Sequence, residues 1–242
     1  QIIDLTGAKW IDVDTPEAIT MAEKLVDETM VKSEEDGLVS RYLNRPISKR
    51  LSTILSQTPI LPSHITILSF FLFLFSLVGL LFLDPKMWIW SGILMQIGSI
   101  VDGCDGEVAR IKFLGTPQGG WFDTMIDRYT DLAVGLAITF TAWHIQEASW
   151  IWPAGVIATM SFILSSYLTK EFEIRFNQPF PNTLANKLKR RDLRILVLAL
   201  GCVSGYPLVG LLSIGLITHL SVIWIFFSGL FDPSRYIRKI KQ

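Results

Sequence analysis

The chain has 242 residues, half of them hydrophobic, 18% charged and 12% aromatic, and its 22 Lys plus Arg balance 22 Asp plus Glu. That composition excludes a disordered chain and a generally basic nucleic-acid binder, and two cysteines exclude a disulfide scaffold. Soluble domains carry about a quarter charged residues, so a membrane protein or an unusually apolar globule remains.

The first 36 residues are polar and acidic, with no run long enough to cross a membrane. Within them Pro16 to Thr29 is predicted to be helical, with Thr15 as N-cap, Pro16 at the first position and Glu17 in the first turn. The absence of an initiator Met and of a signal-peptide pattern suggests that the chain begins inside an upstream domain. Residues 37–61 follow as a juxtamembrane segment. Ile47, Leu51, Ile54 and Leu55 fall on one helical face, with Lys49 and Arg50 off it and Arg41 and Arg45 before it. This pattern predicts an amphipathic helix on the cytoplasmic membrane interface; a docking helix between domains is the alternative.

Residues 62–242 hold the apolar runs. Ile65–Leu83 is 19 residues without a charge, enough for about 30 Å of hydrocarbon. Met87–Val101, Leu132–Trp143, Trp150–Leu168, Ile195–Val203 and Leu208–Phe231 follow, and Ser204-Gly205-Tyr206-Pro207 breaks the last two apart. The fold class expected is therefore an all-α membrane protein with six transmembrane helices. Six spans put Arg41, Arg45, Lys49, Arg50, Arg110, Lys112, Arg128, Lys170, Arg175, Lys187, Lys189, Arg190, Arg191, Arg194 and the basic C-terminal tail on one side, leaving only Lys86 opposite. By the positive-inside rule both termini face the cytoplasm.

Asp102, Asp105, Asp123 and Asp127 break the apolar pattern where two spans meet the membrane surface. Such carboxylates are costly and mark function. Asp102 and Asp105 share a face at i, i+3, beside Gly106 and Ala109; Asp123 and Asp127 share one at i, i+4. Leu114–Gln118 predicts a turn between antiparallel helices. Asp105 and Asp127 each stand nine residues from it, or roughly 13 Å. Gly119 and Gly120 would then let the second helix start close to the first. Four level carboxylates repel, and all-oxygen ligation suits Mg²⁺, Mn²⁺ or Ca²⁺ rather than zinc. Arg110 at the same end suits a phosphate. Simple neutralisation by Arg110, Lys112 and Arg128 would leave the small residues on the acidic face without a reason.

The string Asp102-x2-Asp105-Gly106-x2-Ala109-Arg110-x8-Gly119-x3-Asp123-x3-Asp127 resembles, at all eight fixed positions, the signature of the CDP-alcohol phosphotransferase family. The likeness extends over residues 37–242. It implies six transmembrane helices, a cytoplasmic-side site, a homodimer, and transfer of a phospho-alcohol from a CDP-alcohol to an acceptor hydroxyl with release of CMP. By that resemblance Asp102, Asp105 and Asp123 hold metal, two Mg²⁺ or Mn²⁺ ions in the family's manner; Asp127 is the general base and can also touch metal. Asp105, Gly106, Ala109, Arg110 and Gly119 would line the CDP site. The family's Pro-Asn-x-Ile/Val-Thr reads Pro62-Ser63-His64-Ile65-Thr66 here, with Ser63 replacing Asn.

Lys170, Arg191 and Arg194 border the spans in places similar to those where relatives bind an inositol phosphate acceptor; flanking topology charge is the plainer account of the other basic residues. Trp10-Ile-Asp12-Val-Asp14-Thr-Pro16-Glu resembles the end of a sugar-phosphate nucleotidyltransferase. A cytidylyltransferase ahead of such a phosphotransferase implies CDP-inositol as donor, inositol 1-phosphate as acceptor and di-myo-inositol phosphate phosphate as product. The alternatives are a CDP-diacylglycerol-dependent phospholipid synthase and, from another class, a divalent-metal transporter.

Overall fold

The computed structural model describes residues 12–22, 36–177, 180 and 183–231. Helix is the regular structure throughout these residues. Residues 16–22 form α1, and Thr15 Oγ1 accepts from the Ala18 amide at 3.2 Å as the predicted N-cap. The rest of that expected helix, the Trp10 motif start and the basic C-terminal tail lie outside the described residues.

A π-helical turn, Ser40–Asn44, runs into α2 (Arg45–Ser56); α3 (Pro62–Leu81), α4 (Pro85–Ile111), α5 (Pro117–Gln146) and α6 (Ile151–Phe176) follow. A short α7 (Leu184–Leu188), α8 (Arg191–Val203) and α9 (Pro207–Phe231) complete the order. Proline opens α3, α4, α5 and α9, where its missing N–H is no loss and its φ is already helical. Asp84 and Thr116 cap α4 and α5 by accepting from Lys86 N and Gly119 N. The expected break between the last two helices is present, and Gly205 supplies its positive φ of 81°.

Six helices pack as a closed ring in the order α3, α4, α8, α9, α6, α5 and back to α3. Phe73, Met95, Val134, Ile138, Phe162, Leu198, Leu211 and Ile214 fill its centre. The α5–α6 seam is interlocked: Thr159 stands where a Cβ on Gly135 would go, and Thr139 stands where one on Gly155 would go. The hairpin reading of α4 and α5 is corrected here. They flank α3 on its two sides and are not packed along each other. Gly120 accordingly faces open space, and a Cβ on Gly119 would meet Thr116 Oγ1 of its own cap at 3.2 Å rather than a neighbouring helix.

α3, α6 and α9 are long and apolar enough to cross a membrane. α4 and α5 have 27 and 30 residues but carry the carboxylates, and α8 has 13, a rise of only about 20 Å. The outward surface bears Phe71, Phe75, Ile157, Leu216, Trp224 and Phe227. Buried Thr139 and Thr159 return their hydroxyls to carbonyls one turn back, so no backbone group need find water. An apolar outer surface around a core that mixes large apolar side chains with small and hydroxylated ones at the seams suits a membrane bundle.

α2 is turned opposite to a soluble docking helix. Ser48 and Ser52 are buried, while Ile47, Leu51 and Ile54 face outward. The polar side is held by Glu107 of α4, which is fully buried. Its carboxylate accepts from Arg45 Nη1 at 2.5 Å, Ser48 Oγ at 2.8 Å and Ser52 Oγ at 2.6 Å. Arg45 is shared with Asp36 at 2.9 Å. Burial works against the guanidinium charge, but the two carboxylates hold its pKa above the ordinary value.

Candidate active site

The site lies at the end of the ring where α3 begins, α4 ends, and α5 and α8 begin. α3 supplies two hydroxyls from its first two turns. Thr66 Oγ1 donates to Asp105 at 2.6 Å and Ser69 Oγ donates to Asp102 at 3.2 Å. α3 is thus the spacer that holds α4 and α5 apart and orients the acids of α4.

Across this spacer, oxygens of Asp102, Asp123 and Asp127 lie within 4.8 Å of one another. The count from the turn set Asp105 level with Asp127, whereas on these splayed helices it is Asp102 that meets Asp123 and Asp127. Asp123 Oδ1 is buried with no hydrogen-bond partner among the described residues. A buried, unpartnered carboxylate oxygen is costly, and three converging carboxylates on two helices suit an oxygen-preferring divalent cation. Asp105 stands apart from this trio, with its carboxylate on Thr66 and the Gly106 amide.

Asp102 and Asp127 also line a cavity of about 510 Å³. Its far wall is basic and hydroxylated: Ser165, Thr169, Lys170, Lys189, Arg190 and Arg191. Gly37, Ser40 and Asn44 roof it, with the Ser40 amide donating to Asp192 at 2.7 Å. Lys189 is buried. Its ammonium donates to Ser165 O and Thr169 Oγ1 and lies 4.6 Å from the Phe180 ring centroid. Burial, reinforced by Arg194 and Arg190, lowers its pKa to about 8.

The three residues expected to bind an acceptor phosphate all line this cavity, in unequal states. Lys170 is exposed and pairs with Glu173 at 2.8 Å. Arg191 bridges Asp102 and Asp127, at 2.8 Å from each. Arg194 is buried, bonded to Asp131 at 2.9 Å and stacked over Phe162. Gly106, Ala109, Arg110 and Gly119 are not among the residues that line this cavity. Arg110 runs along Gly106, where a Cβ would meet Nη1 at 3.3 Å.

Two acids escaped the sequence reading. Glu107 occupies a variable position of the motif, and the polar stripe Arg45, Ser48, Ser52 was the signal that α2 needs a buried partner. Asp131, buried and bonded to Arg191 and Arg194, continues the four-residue steps of Asp123 and Asp127 along one face.

Residues 59–227 match the family model for CDP-alcohol phosphatidyltransferase. The chain is 34% identical over 223 residues to a bifunctional IPC transferase and DIPP synthase of Aquifex aeolicus, covering 91% of this chain and 50% of that protein. It thus spans about half the length of such relatives. Its fold is similar to that of phosphatidylinositol phosphate synthase of Mycobacterium tuberculosis. A crystal structure of that enzyme with CDP-DAG bound has a TM-score of 0.61 at 18% identity, covering 80% of this chain and 98% of that one. Another, in complex with manganese and citrate, has a TM-score of 0.60 at 19% identity, covering 79% and 93%.

Proposed function

The chain belongs to the CDP-alcohol phosphatidyltransferase family, and from that premise we propose that it transfers phosphoinositol from CDP-inositol to inositol 1-phosphate, releasing CMP. The observation that carries the reading is the meeting of Asp102, Asp123 and Asp127 within 4.8 Å at the mouth of a cavity with a basic far wall. We take α3, α4, α5, α6, α8 and α9 as six membrane-crossing helices with the site on the cytoplasmic side. On this reading α2 lies in the interface and residues 62–242 form the membrane domain.

Asp102, Asp123 and Asp127 would hold Mg²⁺ or Mn²⁺, with Asp105 the further donor on the face of Asp102. The bound ion supplies charge neutralisation for the diphosphate and stabilises the departing CMP. Gly106, Ala109, Arg110 and Gly119 leave a shallow face with one guanidinium for the CDP moiety. Lys170, Lys189, Arg190 and Arg191 present cations to the acceptor phosphate, which places its ring hydroxyl toward Asp127. Asp127 takes the proton of that hydroxyl as its oxygen bonds to the inositol-linked phosphorus. The bond from that phosphorus to the bridging oxygen breaks, and CMP leaves with the electron pair. Two negatively charged soluble substrates thereby meet on opposite sides of one acidic ridge.

A second reading, with a lipid donor, is favoured by one feature. Phe70, Phe73, Leu74, Leu77, Tyr129 and Val134 line an apolar groove of about 440 Å³ between α3 and α5. Phe73 also lies 5.2 Å beneath the Arg191 guanidinium, so the groove reaches the site from the side. CMP release measured with CDP-inositol and with CDP-diacylglycerol, each with inositol 1-phosphate, separates the two. The leading reading expects turnover with CDP-inositol, lost in Asp127→Asn; turnover with the lipid donor alone would replace it by the second.

A further inference from the structure

Arg191 spans two carboxylates of the acidic ridge and also lines the basic cavity. It opens α8, and its guanidinium is spread over four groups. Nη1 lies 2.8 Å from Asp102 Oδ2 and 2.8 Å from Asp127 Oδ1. Nε donates to Asp131 Oδ1 at 3.2 Å and Nη2 to Thr130 Oγ1 at 3.3 Å. Phe73 supports the flat face from below.

Two of these partners, Asp102 and Asp127, belong to the trio whose oxygens converge. The contacts of Nη1 and the bonds a divalent cation would need therefore draw on the same two carboxylates. A guanidinium at hydrogen-bond distance from both would also repel that cation. Asp131 is different. It is buried, lies outside the trio, and is further neutralised by Arg194 at 2.9 Å. The Nε–Asp131 bond can thus persist while Nη1 gives up the ridge, and the cavity that Arg191 already lines is the space beside it.

We propose that Arg191 is an exchangeable internal counter-ion: it competes with the divalent cation for Asp102 and Asp127, and when displaced it pivots on Asp131 to bind the phosphate of the acceptor. This rests on the metal and acceptor assignments above and adds a linkage between them. Binding of the cation makes a phosphate ligand available, and by reciprocity phosphate tightens the cation. Asp131 is a positioning residue in this scheme, because it acts through Arg191.

The test is Mn²⁺ binding to the full chain in lipid nanodiscs, with free Mn²⁺ read by electron paramagnetic resonance, with and without inorganic phosphate. In the wild type, phosphate should tighten Mn²⁺ by about 5- to 150-fold, the usual span of such coupling. Arg191→Met keeps the apolar stem over Phe73. It should bind Mn²⁺ more tightly than the wild type without phosphate and lose the response to phosphate. Arg191→Lys cannot span all three carboxylates and should fall between, which preserves the test if the Met variant folds poorly. Arg175→Gln, at an exposed ion pair with Glu171 outside the cavity lining, should leave Mn²⁺ affinity unchanged with and without phosphate. Equal or weaker Mn²⁺ binding in both Arg191 variants overturns the exchange. Mn²⁺ binding that is absent, or indifferent to Asp123→Asn, overturns the metal site itself and is distinguishable from that result.

Discussion

Glu107→Ala should release α2 from the bundle while leaving the bundle folded. The substitution removes one acceptor that serves Arg45 at 2.5 Å, Ser48 at 2.8 Å and Ser52 at 2.6 Å. Arg45 retains Asp36, so its charge is not abandoned, but the two serines, both buried, lose their only ionic partner. Hydrogen bonds to a charged group contribute about 1.5–3 kcal/mol each when deleted singly. They are not additive here, because all three end on one carboxylate. Breaking a buried ion pair costs about 3–5 kcal/mol, and that range is the appropriate total. It corresponds to roughly a hundred- to a few-thousand-fold more frequent opening of α2. Hydrogen exchange of the chain in nanodiscs reads this directly, with amides of residues 45–56 compared against those of α3. Glu107→Gln keeps an acceptor for the serines and should show a smaller rise. Unchanged exchange over residues 45–56 in Glu107→Ala would refute the view that this carboxylate anchors the helix.

Gly155→Ala should lower the thermal unfolding midpoint, since its Cβ would lie 2.2 Å from Thr139 Oγ1 and overpacking costs about 1–3 kcal/mol; adding Thr139→Ala should recover most of the loss, and a strictly additive double variant would contradict the interlock. Lys189 predicts a pH dependence. Its folded pKa of about 8 lies below its ordinary 10.5, so the unfolded chain binds more protons between these values. The burial penalty is complete below pH 8 and fades as pH rises toward 10.5. Wild-type stability should gain a rising contribution across that window, which Lys189→Met should lack when melting is compared from pH 7 to 10.5.

What could be read from the sequence follows the range of the interaction that determines it. The Thr15 cap was legible because its determinants are local; Asp84 and Thr116 cap α4 and α5 by the same short-range rule, and proline opens four of the long helices. That acids of these two helices would meet was legible from their i, i+3 and i, i+4 spacing, but counting from the turn paired Asp105 with Asp127 where the structure brings Asp102 to Asp123 and Asp127. The splay of α4 and α5 was not, because it comes from α3 lying between them, a packing choice among distant segments. Glu107 and Lys189 looked like surface charges, since their burial depends on Ser48 and Ser52 or on Ser165 and Thr169, far away in sequence. Asp131 was hidden at the edge of an apolar run, and its significance needs the two arginines of α8.

The inverted helix α2 also fixes an altitude. If α2 lies in the interface as proposed, its outward row of Ile47, Leu51 and Ile54 would float where hydrocarbon gives way to water, while its inner row is tied to α4 one residue beyond Gly106 and five beyond Asp102. The waterline and the acidic ridge would then be set by the same helix, and neither could rise or sink without the other. On the proposed reading, a dissolved sugar phosphate would descend on the aspartates from the aqueous phase, while the groove between α3 and α5 would meet them from the hydrocarbon. A membrane that thickens or thins around this bundle would then shift its outer end and leave the reaction at the draught line.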